Sequence, residues 1–123
     1  MFQTVLFPLD QSRQAMETAA VALQLAQQHD SRLVLLSVVE PGDDAAQVAQ
    51  LLEQARARFE QAGVSCQVLE REGKPAFVIG DVADEINADV IVMGTRGITI
   101  DSDQQSTAAR VIQLAPCPVL VVP

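Results

Sequence analysis

Two short segments contain the residues best suited to binding chemistry. The first, 8–12, reads Pro-Leu-Asp-Gln-Ser, and the second, 93–97, reads Met-Gly-Thr-Arg-Gly. Glycines such as Gly94 and Gly97 let backbone N–H groups approach a phosphate closely, and the start of a following helix adds partial positive charge. The segment 93–97 could therefore approach a phosphate, but two glycines at this spacing are equally compatible with a simple turn after a strand. Asp10 either contributes to the same site or caps the helix that follows it.

The sequence supplies few groups for catalysis or for holding a metal. His29 is the only histidine and ends a predicted helix at the far side of the molecule, so no serine–histidine pair is expected. One histidine and two widely separated cysteines, Cys66 and Cys117, do not make a zinc site. A P-loop is excluded because Val68 stands where its first glycine is required and Pro75 where Ser or Thr is required. We predict no catalytic residue and no metal ligand.

The composition is that of a small acidic globular domain. The chain has 123 residues, 49% of them hydrophobic, and a formal net charge of -8. This length suits one domain over residues 1–123 that buries roughly two-thirds of the surface exposed by its unfolded chain. The acidity argues against nucleic acid and anionic membranes as partners, since both bind clustered Lys and Arg.

The sequence also indicates the compartment in which the protein is found. No apolar run reaches the ~18 residues of a transmembrane helix, and the first ten residues lack the basic region of a signal peptide. We therefore expect a cytoplasmic protein whose two cysteines are reduced, buried thiols.

Hydrophobic patterns predict alternating strands and helices. Short runs rich in β-branched residues predict strands, and apolar residues that recur every three or four positions predict helices. The run at 33–39 is nearly continuous, which is typical of a strand buried on both faces. The predicted strands are 4–8, 33–39, 64–69, 89–93 and 119–122. The predicted helices follow Ser12, Asp44 and Lys74 and span about 105–114, with stop signals at Asp30 and Gly63.

This order of elements predicts an α/β three-layer sandwich. Strands that alternate with helices form a parallel sheet with right-handed crossovers and helices on both faces. The first, second and fourth strands are the most apolar, so a five-stranded sheet of order 3-2-1-4-5 is favoured, with 119–122 at an edge. Ligands bind where the winding of such a sheet reverses. That point lies between strands 1 and 4, where 8–12 and 93–97 meet.

Longer motifs resemble the universal stress protein family over essentially the whole chain. The turn at 9–12 is similar to the family's V-D-G-S-like turn, and 73–76, Gly-Lys-Pro-Ala, is similar to its G-x-P-A-like helix start. The segment ADVIVMGTRG at 88–97 resembles the family's ADLIVMGSRG, and APCPVLVV at 115–122 is the most diagnostic piece. The resemblance implies an adenine nucleotide alpha-hydrolase-like fold and an antiparallel homodimer through Val119–Val122.

The resemblance also implies a nucleotide site with an altered phosphate loop. The ATP-binding branch of the family uses G-x2-G-x9-G-[ST], and its first two glycines correspond to Gly94 and Gly97. The third corresponds to Gln105, after seven intervening residues instead of nine. Asp101 and Asp103 also lie in this loop, where they would repel phosphate unless a divalent cation bridged them.

By resemblance, Asp10 would hydrogen-bond the nucleoside and Val38 would line the adenine site, with ATP or AMP and Mg²⁺ as the candidate ligands. The candidate binding residues are Pro8, Leu9, Asp10, Val38, Met93, Gly94, Arg96, Gly97, Gln105, Ser106 and Thr107.

Two functions remain open at this point. The first is a non-catalytic regulatory or interaction module of the universal stress protein type that senses adenine nucleotide between strands 1 and 4. The second is a slow ATP-hydrolysing switch that uses Gly94, Gly97 and Ser106 with Mg²⁺. The feature that separates them is the missing third glycine.

Overall fold

Five parallel strands alternate with four helices in the computed structural model, which describes residues 2–9, 15–94 and 107–123. The strands are β1 (Thr4–Pro8), β2 (Arg32–Val39), β3 (Cys66–Glu72), β4 (Val90–Gly94) and β5 (Val119–Val122). The helices are α1 (Ala15–His29), α2 (Ala45–Gln61), α3 (Pro75–Glu85) and α4 (Thr107–Leu114).

The strands form one sheet of order β3-β2-β1-β4-β5, as the sequence predicts. All four pairings are parallel. The winding reverses between β1 and β4, because the chain moves outward from β1 to β3 and then crosses back to β4. β3 and β5 are the two edge strands.

Each face of the sheet is covered by two helices because the side chains of a strand alternate between its faces. Val5 and Phe7 of β1 pack on the side of α1 and α2, in a core that includes Val48, Leu52 and Phe59 of α2. On the opposite side, the partners of α3 and α4 are Leu6, Val34, Leu36, Ile91 and Met93. β1, β2 and β4 are the most buried strands, as their apolar runs predict.

The residues that the sequence places at the ends of α1 and α2 lie there in the structure. The side chain of Asp44 accepts hydrogen bonds from the backbone N–H groups of Ala46 and Gln47 and so caps α2. Gly63, two residues after α2 ends, has a φ of +83°, which is readily adopted by glycine. His29 is exposed at the end of α1, where its ring contacts Phe2 just before β1 with centroids 5.3 Å apart. It lies at the amino edge of the sheet, away from the carboxyl ends of the strands.

The third strand differs from its prediction. The hydrophobic pattern predicts a strand over 64–69, whereas β3 runs from Cys66 to Glu72. Glu70, Arg71 and Glu72 are strand residues because they pair in register with Ser37, Val38 and Val39 of β2. Pairing with a neighbouring strand has overridden their low intrinsic preference for strands.

The prediction that both thiols are buried is also wrong. Cys66 and Cys117 are both free but only partly buried. Cys66 begins the edge strand β3 and Cys117 precedes the edge strand β5. A position at the edge of a sheet is covered from fewer sides than one in a central strand.

Candidate functional site

The crevice that the sequence predicts lies between β1 and β4, at the carboxyl ends of these strands. Val5 pairs with Val90 and Leu6 with Ile91, and the pairing of β1 with β4 ends there. On its other side, β1 stays paired with β2 as far as Pro8 and Leu36. The ladder between the two central strands therefore ends near the point where the winding of the sheet reverses, which is where such folds bind ligands.

Pro8 gives a physical reason for the end of this ladder. Successive residues of a central parallel strand direct their backbone groups to alternate neighbours. Thr4 accepts a hydrogen bond from the Asp89 N–H (2.8 Å) on the side of β4, whereas Leu9 N–H donates to Leu36 O (2.7 Å) on the side of β2. Leu6 and Pro8 therefore face β4. Because Pro8 has no N–H, the ladder loses a donor where the crevice opens.

Six of the predicted binding residues lie in the described part of the chain and surround this edge. Counting from the pair Leu6 and Ile91, Pro8 is level with Met93 and Leu9 with Gly94. Val38 is on the neighbouring strand β2, half-buried against the core formed with α3 and α4. Thr107 is half-buried and begins α4. The six are Pro8, Leu9, Val38, Met93, Gly94 and Thr107.

The other predicted residues lie outside the described residues. They belong to the two loops that the sequence predicts at the crevice. The two acids of the predicted phosphate loop also lie outside the described residues. The positions are Asp10, Arg96, Gly97, Gln105 and Ser106, with Asp101 and Asp103 beside them.

The walls of the crevice are mainly apolar. Leu9 is 8% exposed and Met93 3% exposed, so both are held rigidly by the cores on opposite faces of the sheet. Ala108, one residue into α4, belongs to the same core as Met93, so the start of α4 packs on the face of the sheet on which Met93 lies. The first N–H groups of a helix carry partial positive charge, so this position suits an anion even without a cationic side chain.

A separate cavity lies one strand further along the same edge of the sheet. It has a volume of about 420 Å³ and is lined by Val39, Glu40, Pro41, Glu72 and Gly73, at the ends of β2 and β3. The carboxylates of Glu40 and Glu72 would repel a phosphate there. The sequence analysis missed this cavity, because it forms only when the turn after β2 meets the turn after β3.

The titration of the two thiols argues against a reactive cysteine. Burial raises the pKa of Cys66 to about 11, and the nearby Glu60 carboxylate adds to that rise. Burial also raises the pKa of Cys117, with a further contribution from Asp89. Since the thiolate is the nucleophilic form, both thiols are less reactive at neutral pH than an ordinary cysteine.

The described residues contain neither a cluster of metal ligands nor a membrane-spanning helix. Within residues 2–9, 15–94 and 107–123, no three His, Cys, Asp or Glu side chains gather in a way that could hold a metal ion. Over the same residues, none of the helices has both the length and the apolar character needed to cross a membrane.

Comparison with known sequences identifies relatives along the full chain. The sequence profile described as "Universal stress protein family" matches residues 1–123. Universal stress protein Sll1654 of Synechocystis sp. is 52% identical, in an alignment that covers 100% of this chain and 87% of that protein. A universal stress protein of Thermus aquaticus is 36% identical, with 99% of each chain covered.

Solved structures show the same fold. Universal stress protein UspA from Lactobacillus plantarum superposes with a TM-score of 0.88 at 24% identity, covering 99% of this chain and 98% of that one. A universal stress protein in complex with cAMP gives a TM-score of 0.83 at 23% identity, with 98% and 97% covered. The Archaeoglobus fulgidus protein in complex with dAMP gives 0.80 at 21% identity, with 100% of both chains covered.

Proposed function

The chain belongs to the universal stress protein family, and we propose that it is a regulatory module that senses an adenine nucleotide in the crevice between β1 and β4. The observation that carries this proposal is the reversal of the winding between these two strands, whose ladder ends after Leu6 and Ile91. We further propose that the module is a single domain over residues 1–123 that acts in the cytoplasm during the response to stress.

The described walls of the crevice suit a purine base and its sugar. Val38 offers a half-buried aliphatic surface on which a flat base can lie, and Leu9 and Met93 supply a fixed apolar floor. Small-molecule sites combine such apolar surface with a few polar groups that orient the ligand. Asp10, directly after Leu9, would accept hydrogen bonds from the sugar hydroxyls.

A single phosphate fits the charge of the site better than a triphosphate. The chain has a net charge of -8, and its phosphate loop carries Asp101 and Asp103 and lacks the third glycine of the ATP motif. The backbone N–H groups at Gly94, Gly97 and the start of α4 can hold one phosphate without cationic side chains. Two structural neighbours are described as complexes with cAMP and dAMP, each of which has one phosphate. We therefore propose an adenosine monophosphate as the preferred ligand.

We also propose that the protein forms a homodimer through β5. Ile91 N–H donates to Pro118 O (3.0 Å), so Pro118, Leu120 and Val122 face β4 and the backbone groups of Val119 and Val121 face outward. Among the described residues, no further strand pairs with β5 on its outward side, and β5 has no charged side chain. An edge strand of this kind is a template for pairing with a second strand.

Calorimetric titration with AMP, cAMP and ATP, each with and without Mg²⁺, tests the nucleotide proposal. Two neighbouring variants on β2 form a matched pair: Val38→Asn changes the crevice side of the sheet, and Val39→Asn changes the side of the β2–β3 cavity. We expect AMP to bind and Val38→Asn to weaken its binding by about tenfold, or about 1.4 kcal/mol. Val39→Asn should leave the affinity within about twofold.

Three results would count against this function. The first is no heat of binding at millimolar AMP, combined with no nucleotide released when the purified protein is denatured. The second is loss of affinity in Val39→Asn alone, which would move the ligand to the β2–β3 cavity. The third is release of phosphate from ATP in the presence of Mg²⁺, which would replace a sensor with a hydrolytic switch.

A further inference from the structure

The groove between α3 and α4 is a second surface, separate from the crevice and from the β5 edge. Gly80 lies in the middle of α3, and a Cβ added there would be 3.8 Å from the Leu114 carbonyl oxygen. The end of α4 therefore packs closely against the middle of α3. We call the surface formed on the outer side of this contact the α3–α4 groove.

Two large apolar side chains of the α3–α4 groove are exposed to solvent. Phe77 is 49% exposed and Leu114 is 48% exposed. Phe77 lies three residues before Gly80, so it is on the same side of α3 as the contact with Leu114. Apolar side chains that are scattered singly need no explanation, but two in one groove between packed helices indicate an interaction surface.

The exposed charged residues of α3 and α4 differ in sign. Asp81 and Asp84 follow Phe77 by four and seven residues on α3, and both are exposed. Arg110 precedes Leu114 by four residues on α4 and is also exposed. In the described part of the chain, none of these three side chains forms a salt bridge. The surface therefore combines two exposed apolar side chains with two acids on α3 and one cation on α4.

We propose that the α3–α4 groove binds an amphipathic helix of a basic partner protein. The apolar face of that helix would cover Phe77 and Leu114, and its Lys or Arg residues would lie against Asp81 and Asp84. The acidic charge of Asp81 and Asp84 favours a basic partner over a second copy of the same chain. The chain carries 16 acidic against 8 basic residues, so a second copy would bring net negative charge to these two acids, whereas a basic segment is attracted to them.

A 14-residue peptide of leucine and lysine, LKKLLKLLKKLLKL with a fluorescent label, is the probe. Its binding to the full chain is measured by fluorescence anisotropy at about 150 mM salt, where exposed charges are largely screened beyond ~8 Å. The variant Phe77→Ser/Leu114→Ser should weaken binding by at least about tenfold, as expected when central apolar anchors are removed. The matched control Met16→Ser removes an apolar side chain that is 65% exposed on α1, and it should leave binding unchanged.

Charge variants separate a specific site from general attraction between a basic peptide and an acidic protein. Asp81→Asn/Asp84→Asn should weaken binding about fivefold and reduce its dependence on salt. Glu17→Gln, which removes an exposed acid of α1, should change neither. Hydrogen exchange of the unmodified protein gives a readout without substitutions, with peptide-induced protection expected in α3 and α4.

Four outcomes would overturn the proposal. They are no binding of the peptide, equal binding by Phe77→Ser/Leu114→Ser, equal weakening by Glu17→Gln, and protection confined to β5 or to the crevice. Sedimentation of the protein without peptide tests whether the groove binds a second copy of this chain. Self-association that is lost in Phe77→Ser/Leu114→Ser would make the groove a contact between copies of this chain.

Discussion

The two edge strands of the sheet, β3 and β5, differ in the side chains that could prevent another strand from pairing with them. β3 at one edge carries Glu70, Arg71 and Glu72, and Arg71 lies 3.6 Å from Glu85 of α3. β5 at the other edge is Val-Leu-Val-Val, with no charge and with Leu120 40% exposed. An open strand invites pairing unless charges or covering elements prevent it. The comparison indicates that β3 is protected from association and that β5 is available for it.

The strongest test of this comparison places a lysine on each edge in turn. Leu120→Lys should weaken the proposed homodimer at least about 100-fold, or about 2.8 kcal/mol, because like charges then meet across antiparallel β5 strands. Gln67→Lys puts the same charge on an exposed position of β3 and should leave the dimer intact. Light scattering after size-exclusion chromatography measures both. A monomeric wild-type protein at micromolar concentration, or dissociation by Gln67→Lys alone, contradicts the assignment.

The thiol at the start of β3 gives a chemical measure of how well that edge is covered. In a Cys117→Ser background, Cys66 should react with iodoacetamide at pH 8 roughly 100-fold more slowly than in urea, because its pKa is raised from 9.0 to about 11. The rate in the folded protein should therefore keep rising with pH beyond pH 10, whereas the rate in urea is half-maximal near pH 9 and levels off about one pH unit higher. A plateau below about pH 10 in the folded protein is the contrary result.

The turn after β3 depends on a single glycine. Gly73 has a φ of +137°, and a Cβ added there would lie 2.9 Å from Cγ2 of Val78. Gly73→Ala should lower the free energy of unfolding by about 1–3 kcal/mol, which urea denaturation measures. Gly42→Ala is the control for backbone strain alone, since Gly42 has a φ of +95° with nothing within 4 Å of an added Cβ. Equal losses in both variants would mean that the contact with Val78 contributes nothing.

The charges on β3 should matter much less for stability than for association. Arg71→Gln removes the pair with Glu85, whose side chains are 40% and 60% exposed, and should cost less than about 1 kcal/mol of unfolding free energy. Glu85→Gln should have the same effect, and the double variant should cost no more than either. A loss of several kcal/mol would show that this pair holds β3 in place, contrary to a protective function.

The sequence predicts the sheet well where burial decides the pattern. Continuous apolar runs mark β2 and β4 as central strands, and the order 3-2-1-4-5 follows from burying them. The end of β3 escapes this reasoning because Glu70, Arg71 and Glu72 are strand residues only through pairing with β2. The burial of the thiols was overestimated for a related reason, since an apolar run does not show which side of an edge strand is covered.

The candidate site is less accessible to sequence reasoning. The sequence places Pro8 in the site through its position at the end of the first strand, but the effect of Pro8 on the ladder to β4 depends on the register of β1 against both neighbours. The β2–β3 cavity requires two turns that are distant in sequence to meet. Periodicity and composition carry no information on either feature.

The central claim is that an adenine nucleotide binds between β1 and β4 and not in the neighbouring cavity. Titration of ¹⁵N-labelled protein with AMP, followed through its amide resonances, tests this claim most directly because it reports on both places in one experiment. We predict shifts that saturate at the amides of Leu9, Gly94 and Thr107, with Glu40 and Gly73 unmoved. Saturating shifts at Glu40 and Gly73 with Leu9 and Gly94 unmoved, or no shifts at millimolar AMP, would contradict it.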